Sequence, residues 1–271
     1  MTEPPIARKL GTDGRRPSWA MRLWLAMPDW SFRVIGLILV CAYLNVARTK
    51  YANFPKIGPF LEPIISHDAS GRPIFGPPVY FPWSTILADL TFVQIGLAFC
   101  FRTSPRRRAD RAREIIIPLI VAVWPLLPFL VVDVLGYLSP ASARALAAAV
   151  LPGGRISYLR FYSGVCLLSA GLALEVWGYA TLFRSLAIVA EARELKVSGP
   201  YRLARHPIYF GQFLAQAGYW LVLLRLQLVW VVFYALFVTM QLYRSRLEDG
   251  VLERAFGERY VAWKRKTFWF V

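Results

Sequence analysis

Long apolar stretches alternate with short polar segments along almost the whole chain. An apolar stretch of roughly 20 residues is long enough to cross the hydrocarbon core of a membrane as a helix. The pattern predicts six spans, over residues 31–47, 82–101, 115–138, 158–183, 207–224 and 226–243. Arg225 and Gln227 are the only polar break between the last two spans, which are therefore predicted to form a tight helical hairpin.

The connections divide the predicted fold into three regions. Residues 1–30 are a basic tail, residues 31–160 an N-terminal transmembrane region of about three spans, and residues 161–271 a C-terminal core with the hairpin and a polar tail. A proline-rich outer loop is expected over residues 48–81 and a short interfacial helix after Pro140. No small-residue cleavage site follows the basic opening segment, so the first span is expected to stay in the protein. The sequence predicts an all-α, polytopic transmembrane helical bundle.

Composition and charge support this interpretation and add an orientation. The 271 residues are 57% hydrophobic and 15% aromatic, which is unusual for a soluble domain. When the six spans are threaded in order, 23 of the 32 basic residues fall on one side, eight on the other, and Arg33 lies in the first span. Basic loops stay in the cytoplasm. Both termini are therefore predicted to be cytoplasmic.

The net charge of +16 has a membrane explanation as well. Basic loops attract anionic lipid headgroups, and no recognisable nucleic-acid module accompanies the charge. We therefore expect anionic lipids and not nucleic acid as partners. Cys41, Cys100 and Cys166 all lie in predicted spans without metal-ligand spacing, so no metal site is expected.

The stretch GPYRLARHPIYFGQ, residues 199–212, concentrates polar chemistry at the edge of the fifth span. Pro207 disfavours helical geometry at His206 and is itself suited to the first position of a helix. Arg205 and His206 are thus predicted at a helix N-terminus, where free backbone N–H groups attract anions. The alternative is that the arginines anchor the topology and Tyr201 and Tyr209 belong to an interfacial aromatic belt.

Small residues follow on one face of the same helix. Gly211, Ala215 and Gly218 keep that face thin, which permits close approach of another helix or of a flat cofactor.

The segment YRSRLEDGVLERAFGERYVAWKRK after the sixth span carries alternating charges. On a regular helix Arg246, Asp249 and Glu253 share one face, and Glu248 and Leu252 share another. A solvated helix with internal ion pairs would have the same pattern. The predicted hairpin would bring this segment back to His206.

These two segments together resemble the isoprenylcysteine carboxyl methyltransferase and phospholipid methyltransferase superfamily. The shared pattern is G-P-Y-R-x-x-R-H-P-x-Y-x-G, then R-x-E-[ED]-x-x-L and F-G-x-x-Y, over roughly residues 177–264. The chain departs from it at Asp249, where the second acid is usually Glu, and at RELKVS, residues 193–198, where H-x-L-V-T is usual.

The resemblance implies an integral membrane methyltransferase that uses S-adenosylmethionine on a lipophilic acceptor, with the active site facing the cytoplasm. The implied cofactor-binding residues are Tyr201, Arg205, His206, Pro207, Tyr209, Gly211, Glu248 and Asp249. Arg246 matches the arginine placed at the methyl acceptor, so Arg246 and Glu248 are the implied catalytic residues.

Protonation chemistry bears on the acceptor. A carboxylate is already ionised at neutral pH and needs only a cation such as Arg246 to orient it, whereas a lipid amine must first lose a proton to a base. The expected methyl acceptor is therefore an isoprenylcysteine-like carboxylate, and a phospholipid amine is the second candidate. Acids within spans are often functional, and Glu175, with Trp177 and Gln212, is the candidate acceptor-binding group.

Two further functions stay open at this point. Membrane sterol reductases are similar in their R-H-P-x-Y element but take a hydride from NADPH, and a non-catalytic scaffold would bind no cofactor.

The charge asymmetry predicts the topology. A reporter fused after Val271 should be cytoplasmic, and a tag inserted between residues 55 and 78 should be cleaved by external protease in intact cells, because that loop lies on the side with fewer basic residues. Protection of that tag would overturn the predicted order of the spans across the membrane.

Overall fold

The computed structural model describes residues 26–52, 64–67, 70, 73–75, 83–150, 157–224 and 226–269. Most of the basic tail predicted over residues 1–30, and most of the outer loop predicted over residues 48–81, lie outside these ranges.

Helices dominate the described chain, as the sequence predicts. They are α1 (Asp29–Ala52), α2 (Trp83–Cys100), α3 (Ala112–Val123), α4 (Leu127–Leu138), α5 (Pro140–Val150), α6 (Tyr158–Leu182), α7 (Pro207–Gln216), α8 (Leu228–Phe256) and α9 (Glu258–Lys264). A 3₁₀ turn, Trp124–Leu126, joins α3 to α4, and a π-helical stretch, Ala217–Leu223, continues α7. The outer connection, expected to be irregular, contains a small antiparallel hairpin of β1 (Ile64–His67) and β2 (Pro73–Phe75).

Each predicted span coincides with helical structure, although the span over residues 115–138 is divided between α3 and α4, and the helices do not all end where the apolar runs end. The first helix continues past residue 47 to Ala52, and the last continues past residue 243 to Phe256. Among the described residues, three helical segments are long and apolar enough to cross a membrane: Ala112–Leu138, Leu159–Ser185 and Leu228–Phe256. The helical membrane fold is therefore confirmed, whereas the number of spans and the side of the termini stay predictions.

The thin face of α7 packs against α6. A Cβ on Gly171 of α6 would lie 2.4 Å from both the Gly211 carbonyl oxygen and the Ala215 nitrogen, and one on Gly218 would lie 2.7 Å from the Leu168 nitrogen. Backbone atoms on both sides cannot move away as a flexible side chain could. The small residues thus serve close helix packing, and no room for a flat cofactor is left on this face.

The predicted hairpin brings α8 back to the beginning of α7. The π-helical stretch ends at Leu223 and α8 begins at Leu228, and α8 then runs without interruption to Phe256. The first part of the polar segment is therefore the second half of one 29-residue helix, and the remainder contains the short helix α9. Its buried positions include Gln241, Ser245 and Asp249, which repeat every fourth residue along one face.

Close packing of α6 on α7 predicts a stability difference between two glycines. Gly171→Ala should lower the free energy of unfolding by about 1–3 kcal/mol, because the added methyl group meets fixed backbone. Gly250→Ala in α8 is the matched control, since its Cβ would meet only the end of Arg254 at 3.6 Å. Thermal unfolding in detergent measures both, and equal midpoints for the two variants would contradict this packing role.

Candidate active site

The conformation at the beginning of α7 follows from two local constraints. Pro207 is the first helical residue, and His206 before it is non-helical, with φ −128° and ψ 64°. Gly199 has φ +57°, and a Cβ there would lie 2.7 Å from the Thr181 hydroxyl, so the turn requires glycine. These constraints fix the side-chain positions of Arg205 and His206 relative to α6 and α8.

Asp249 is the centre of a buried polar cluster at this point. Its Oδ2 accepts a hydrogen bond from Arg205 Nη1 at 2.6 Å. Its Oδ1 lies 2.7 Å from His206 Nε2 and accepts a hydrogen bond from the Tyr260 hydroxyl at 2.5 Å. Arg205, His206, Asp249 and Tyr260 are all buried. One carboxylate therefore joins the beginning of α7 to α8 and α9.

Glu248, the neighbouring acid, has different partners. Its Oε1 accepts hydrogen bonds from the Tyr209 hydroxyl and, at 3.0 Å, from Arg244 Nε. Arg244 Nη2 also donates to the Ile188 carbonyl oxygen at 2.7 Å, which ties the loop after α6 to α8. Glu248 Oε2 lies 3.9 Å from His206 Nδ1. The two consecutive acids thus approach opposite nitrogens of one imidazole.

Aromatic rings enclose the histidine. The Tyr209 ring stacks on His206 with a centroid distance of 5.1 Å and an interplanar angle of 5°. The Trp269 ring lies 5.0 Å from His206, and its indole nitrogen donates to the Ser245 hydroxyl at 3.0 Å. The segment that carries Trp269 is held by backbone bonds of Arg205 and Leu203 to Phe268. The C-terminal segment therefore forms part of the wall of the site.

Two phenols near the cluster remain neutral donors. Burial raises the pKa of Tyr201 well above its usual range. Burial, together with the Asp249 carboxylate, likewise raises the pKa of Tyr260. Because both stay protonated at neutral pH, Tyr260 can donate to Asp249 without adding negative charge to the cluster.

A cavity of about 780 Å³ extends from this cluster into the helical bundle. Its cytoplasm-proximal end, in the predicted topology, is lined by Arg205, His206, Tyr209 and Glu248. Deeper along α6 and α7 its wall carries four polar side chains, Glu175, Tyr179, Gln212 and Gln216, and the other lining residues of this part of α6 and α7 are mostly apolar. The Gln212 amide donates to the Tyr179 hydroxyl at 3.4 Å, and Glu175 is buried. A polar mouth with an apolar interior suits an amphiphilic ligand.

The structure brings most of the predicted site residues to this cavity. Those that line it are Tyr201, Arg205, His206, Tyr209, Glu248, Glu175 and Gln212. Pro207 and Asp249 are buried behind the wall, where they hold its residues in place, and Gly211 lies in the contact between α6 and α7. Trp177 is half exposed and does not line the cavity, although Glu175 beside it in sequence does.

Arg246 is not at the cavity, contrary to the sequence-based expectation. Its side chain is exposed, whereas Arg244 is buried and lines the cavity wall. A helical residue advances about 100°, so Arg246, two positions from Arg244 and from Glu248, lies on the side of α8 opposite to these two cavity-lining residues. The sequence analysis also assigned no site role to Tyr260 or Trp269. Tyr260 ends the F-G-x-x-Y pattern, but that pattern does not indicate that the ring folds back toward His206.

Comparison with known families identifies the same region. Residues 159–259 match the family model described as phospholipid methyltransferase. The match spans α6, the beginning of α7 and all of α8, and it stops just before Tyr260. A comparison with curated proteins finds no match.

The cluster geometry predicts a strong dependence of stability on Asp249. Asp249→Asn should lower the free energy of unfolding by about 3 kcal/mol, because Arg205 stays buried without its anionic partner. Glu253→Gln, one turn further along α8, is the control. Its side chain is half exposed and its contact with Lys264 is 4.0 Å, so a change within about 0.5 kcal/mol is expected. Thermal unfolding with equal losses in both variants would contradict a central role for Asp249.

Proposed function

We propose that this protein transfers a methyl group from S-adenosylmethionine to a lipid headgroup. The basis is the family match: residues 159–259 match the phospholipid methyltransferase family, which is part of the superfamily that includes the isoprenylcysteine carboxyl methyltransferases. The observation that carries the proposal is the cavity, which joins the His206 and Glu248 cluster to an apolar interior between helices. The family match favours methyl transfer over reduction by NADPH. A scaffold without a cofactor would leave the buried polar cluster at the cavity mouth unexplained.

The residues at the polar end fit the cofactor in charge and shape. S-adenosylmethionine, when bound, supplies a methyl group on a positively charged sulfonium. Glu248 offers a carboxylate that complements this charge, and Tyr209 and Trp263 offer ring surfaces on the same cavity wall. Asp249 keeps His206 and Arg205 oriented toward the cavity through its hydrogen bonds. These residues would hold the cofactor at the cytoplasmic end.

The lipid acceptor we propose is an amine, such as the ethanolamine of a phospholipid. The case for a carboxylate depended on Arg246, which is exposed, and Arg244 already binds Glu248 and the Ile188 carbonyl. Five acids line the cavity, and Glu175 on α6 and Glu248 on α8 are two of them. A carboxylate can accept the proton that an ammonium group must lose before its nitrogen can attack a methyl group.

The proposed reaction balances with these groups alone. A cavity carboxylate would accept the ammonium proton, and the freed nitrogen lone pair could then bond to the methyl carbon that bound S-adenosylmethionine would supply, with S-adenosylhomocysteine as the leaving group. Alignment of nitrogen, carbon and sulfur is the main requirement of such a displacement. The chain would contribute by holding both ligands in one cavity.

Product chemistry tests the acceptor. The purified protein, given radiolabelled S-adenosylmethionine and phosphatidylethanolamine vesicles, should yield a labelled lipid that resists mild base, because an N-methyl group is not hydrolysed. Glu175→Gln should lower turnover by about tenfold if the carboxylate takes the proton. Mass analysis of the product identifies the methylated group.

Other products would contradict an amine acceptor. A base-labile product would be an ester and would establish a carboxylate acceptor. If such a product were lost in Arg246→Gln but kept in Glu175→Gln, the acceptor role expected of Arg246 from sequence would be restored. No labelled lipid from phosphatidylethanolamine or from an isoprenylcysteine analogue would refute methyl transfer to both headgroups.

A further inference from the structure

Arg193 is a buried cation on the cavity wall whose hydrogen bonds are incomplete. Its side chain is 0% exposed, and it lines the cavity within the loop between α6 and α7. Nη2 donates to Glu191 Oε2 at 2.8 Å. Among the residues that the structure describes, no acceptor lies within hydrogen-bonding distance of Nε or Nη1. A guanidinium group carries five N–H donors, and those on Nε and Nη1 are left for a ligand.

Glu191, the acid that Arg193 contacts among the described residues, is shared with another arginine. Arg102 Nη2 lies 3.1 Å from the same Glu191 Oε2, and both arginine side chains are almost fully buried. Arg102 has a second favourable contact, because its guanidinium lies 4.0 Å from the centroid of the Phe32 ring. The nearby Arg108 is paired separately with Asp29 at 3.0 Å. Within the part of the chain that the structure describes, Arg102 and Arg193 share the single carboxylate of Glu191, which leaves an excess of one positive charge.

Other acids near Arg193 do not remove this excess. Glu194 is directed toward Lys196 at 2.8 Å, and its side chain is 63% exposed. Glu114 binds Arg254 at 2.6 Å. Burial of an uncompensated charge is costly, so an anion that enters the cavity would relieve this cost when it binds Arg193.

The loop holds Arg193 in a fixed position for such a ligand. The Ala192 carbonyl accepts backbone hydrogen bonds from Arg106 and Arg107, and the Ala192 nitrogen donates to the Arg107 carbonyl. The Ala190 nitrogen donates to the Glu114 carbonyl at 3.0 Å. A guanidinium on a fixed backbone, with adjacent N–H groups unpaired, suits an oxyanion better than a single neutral acceptor.

We infer that Arg193 is an anion-binding residue of this cavity, which binds an oxyanion of the ligand through its Nε–H and Nη1–H groups. This inference rests on the proposed function for the identity of the ligand: the oxyanion is either the phosphodiester of a phospholipid acceptor or the carboxylate of S-adenosylmethionine. A phosphodiester on Arg193 and an ammonium group near Glu175 or Glu248 would match the two charges of a zwitterionic headgroup.

Binding measurements on the full chain in detergent separate the two sources. In Arg193→Met, affinity for the anion-bearing ligand should fall about tenfold, the effect of a lost charge-assisted pair of hydrogen bonds. If the phosphodiester is bound, affinity falls for dihexanoylphosphatidylethanolamine and not for an alkyl ether of ethanolamine. If the carboxylate is bound, affinity falls for S-adenosylhomocysteine and not for methylthioadenosine, which lacks the amino-acid portion.

Controls keep the inference apart from the folding of the variant and from the proposed function. Arg202→Gln removes an exposed arginine near the same loop and should bind all four probes as the wild type does. Arg193→Lys keeps the charge but not the planar donor pair, so it should lose part of the affinity even if Arg193→Met does not fold. Inorganic phosphate should raise the unfolding temperature of the wild type and not that of the Arg193 variants, whether or not the protein transfers methyl groups.

Different results would contradict the role of Arg193 and the proposed function. Folded Arg193→Met or Arg193→Lys protein that binds all four probes and phosphate as the wild type does would overturn it. Wild-type protein that binds none of the four probes would instead refute the proposed function, and the phosphate measurement would then decide the role of Arg193.

Discussion

The carboxylate of Asp249 is the contact on which the site depends. Its hydrogen bonds to Arg205, His206 and Tyr260 join the beginning of α7 to α8 and α9. A buried carboxylate is tolerated only when charge and hydrogen bonds compensate for lost hydration. Because these partners come from separate helices, the compensation exists only in the folded hairpin. The energy of this cluster therefore selects the arrangement of helices that also forms the cavity mouth.

Two adjacent acids have separate roles because a helix turns about 100° per residue. Asp249 is directed inward to the cluster and does not line the cavity, whereas Glu248 lies on the cavity wall with Tyr209 and Arg244. The inner acid fixes geometry, and the outer acid offers charge to a ligand. This division explains why the pair is consecutive in sequence yet differs in burial and in partners.

Residues in the N-terminal half of the chain hold the loop between α6 and α7 that forms one wall of the cavity. Arg102 follows α2, and its bond to Glu191 holds the loop whose Ile188 carbonyl accepts a hydrogen bond from Arg244. The backbone bridge between Arg107 and Ala192 holds the same loop. Residues outside the family match thus position one wall of the cavity. The loop contributes Arg193 and Lys196 together with Glu191 and Glu194 to that wall, and α8 contributes Arg244 and Glu248. Such a distribution of charge suits a headgroup with both signs.

Much of the fold followed from the sequence, because apolar runs of membrane length and the Pro207 constraint act locally. The positions of the helices, the hairpin and the non-helical His206 were all predictable for this reason, and the resemblance located the residues at the polar end of the cavity. The tertiary structure alone decided which of two arginines, Arg244 or Arg246, is turned inward, and that Gly211 packs against α6. It also decided that Tyr260 and Trp269 fold back onto the histidine. These outcomes depend on the rotation of α8 and on contacts distant in sequence, which local patterns do not encode.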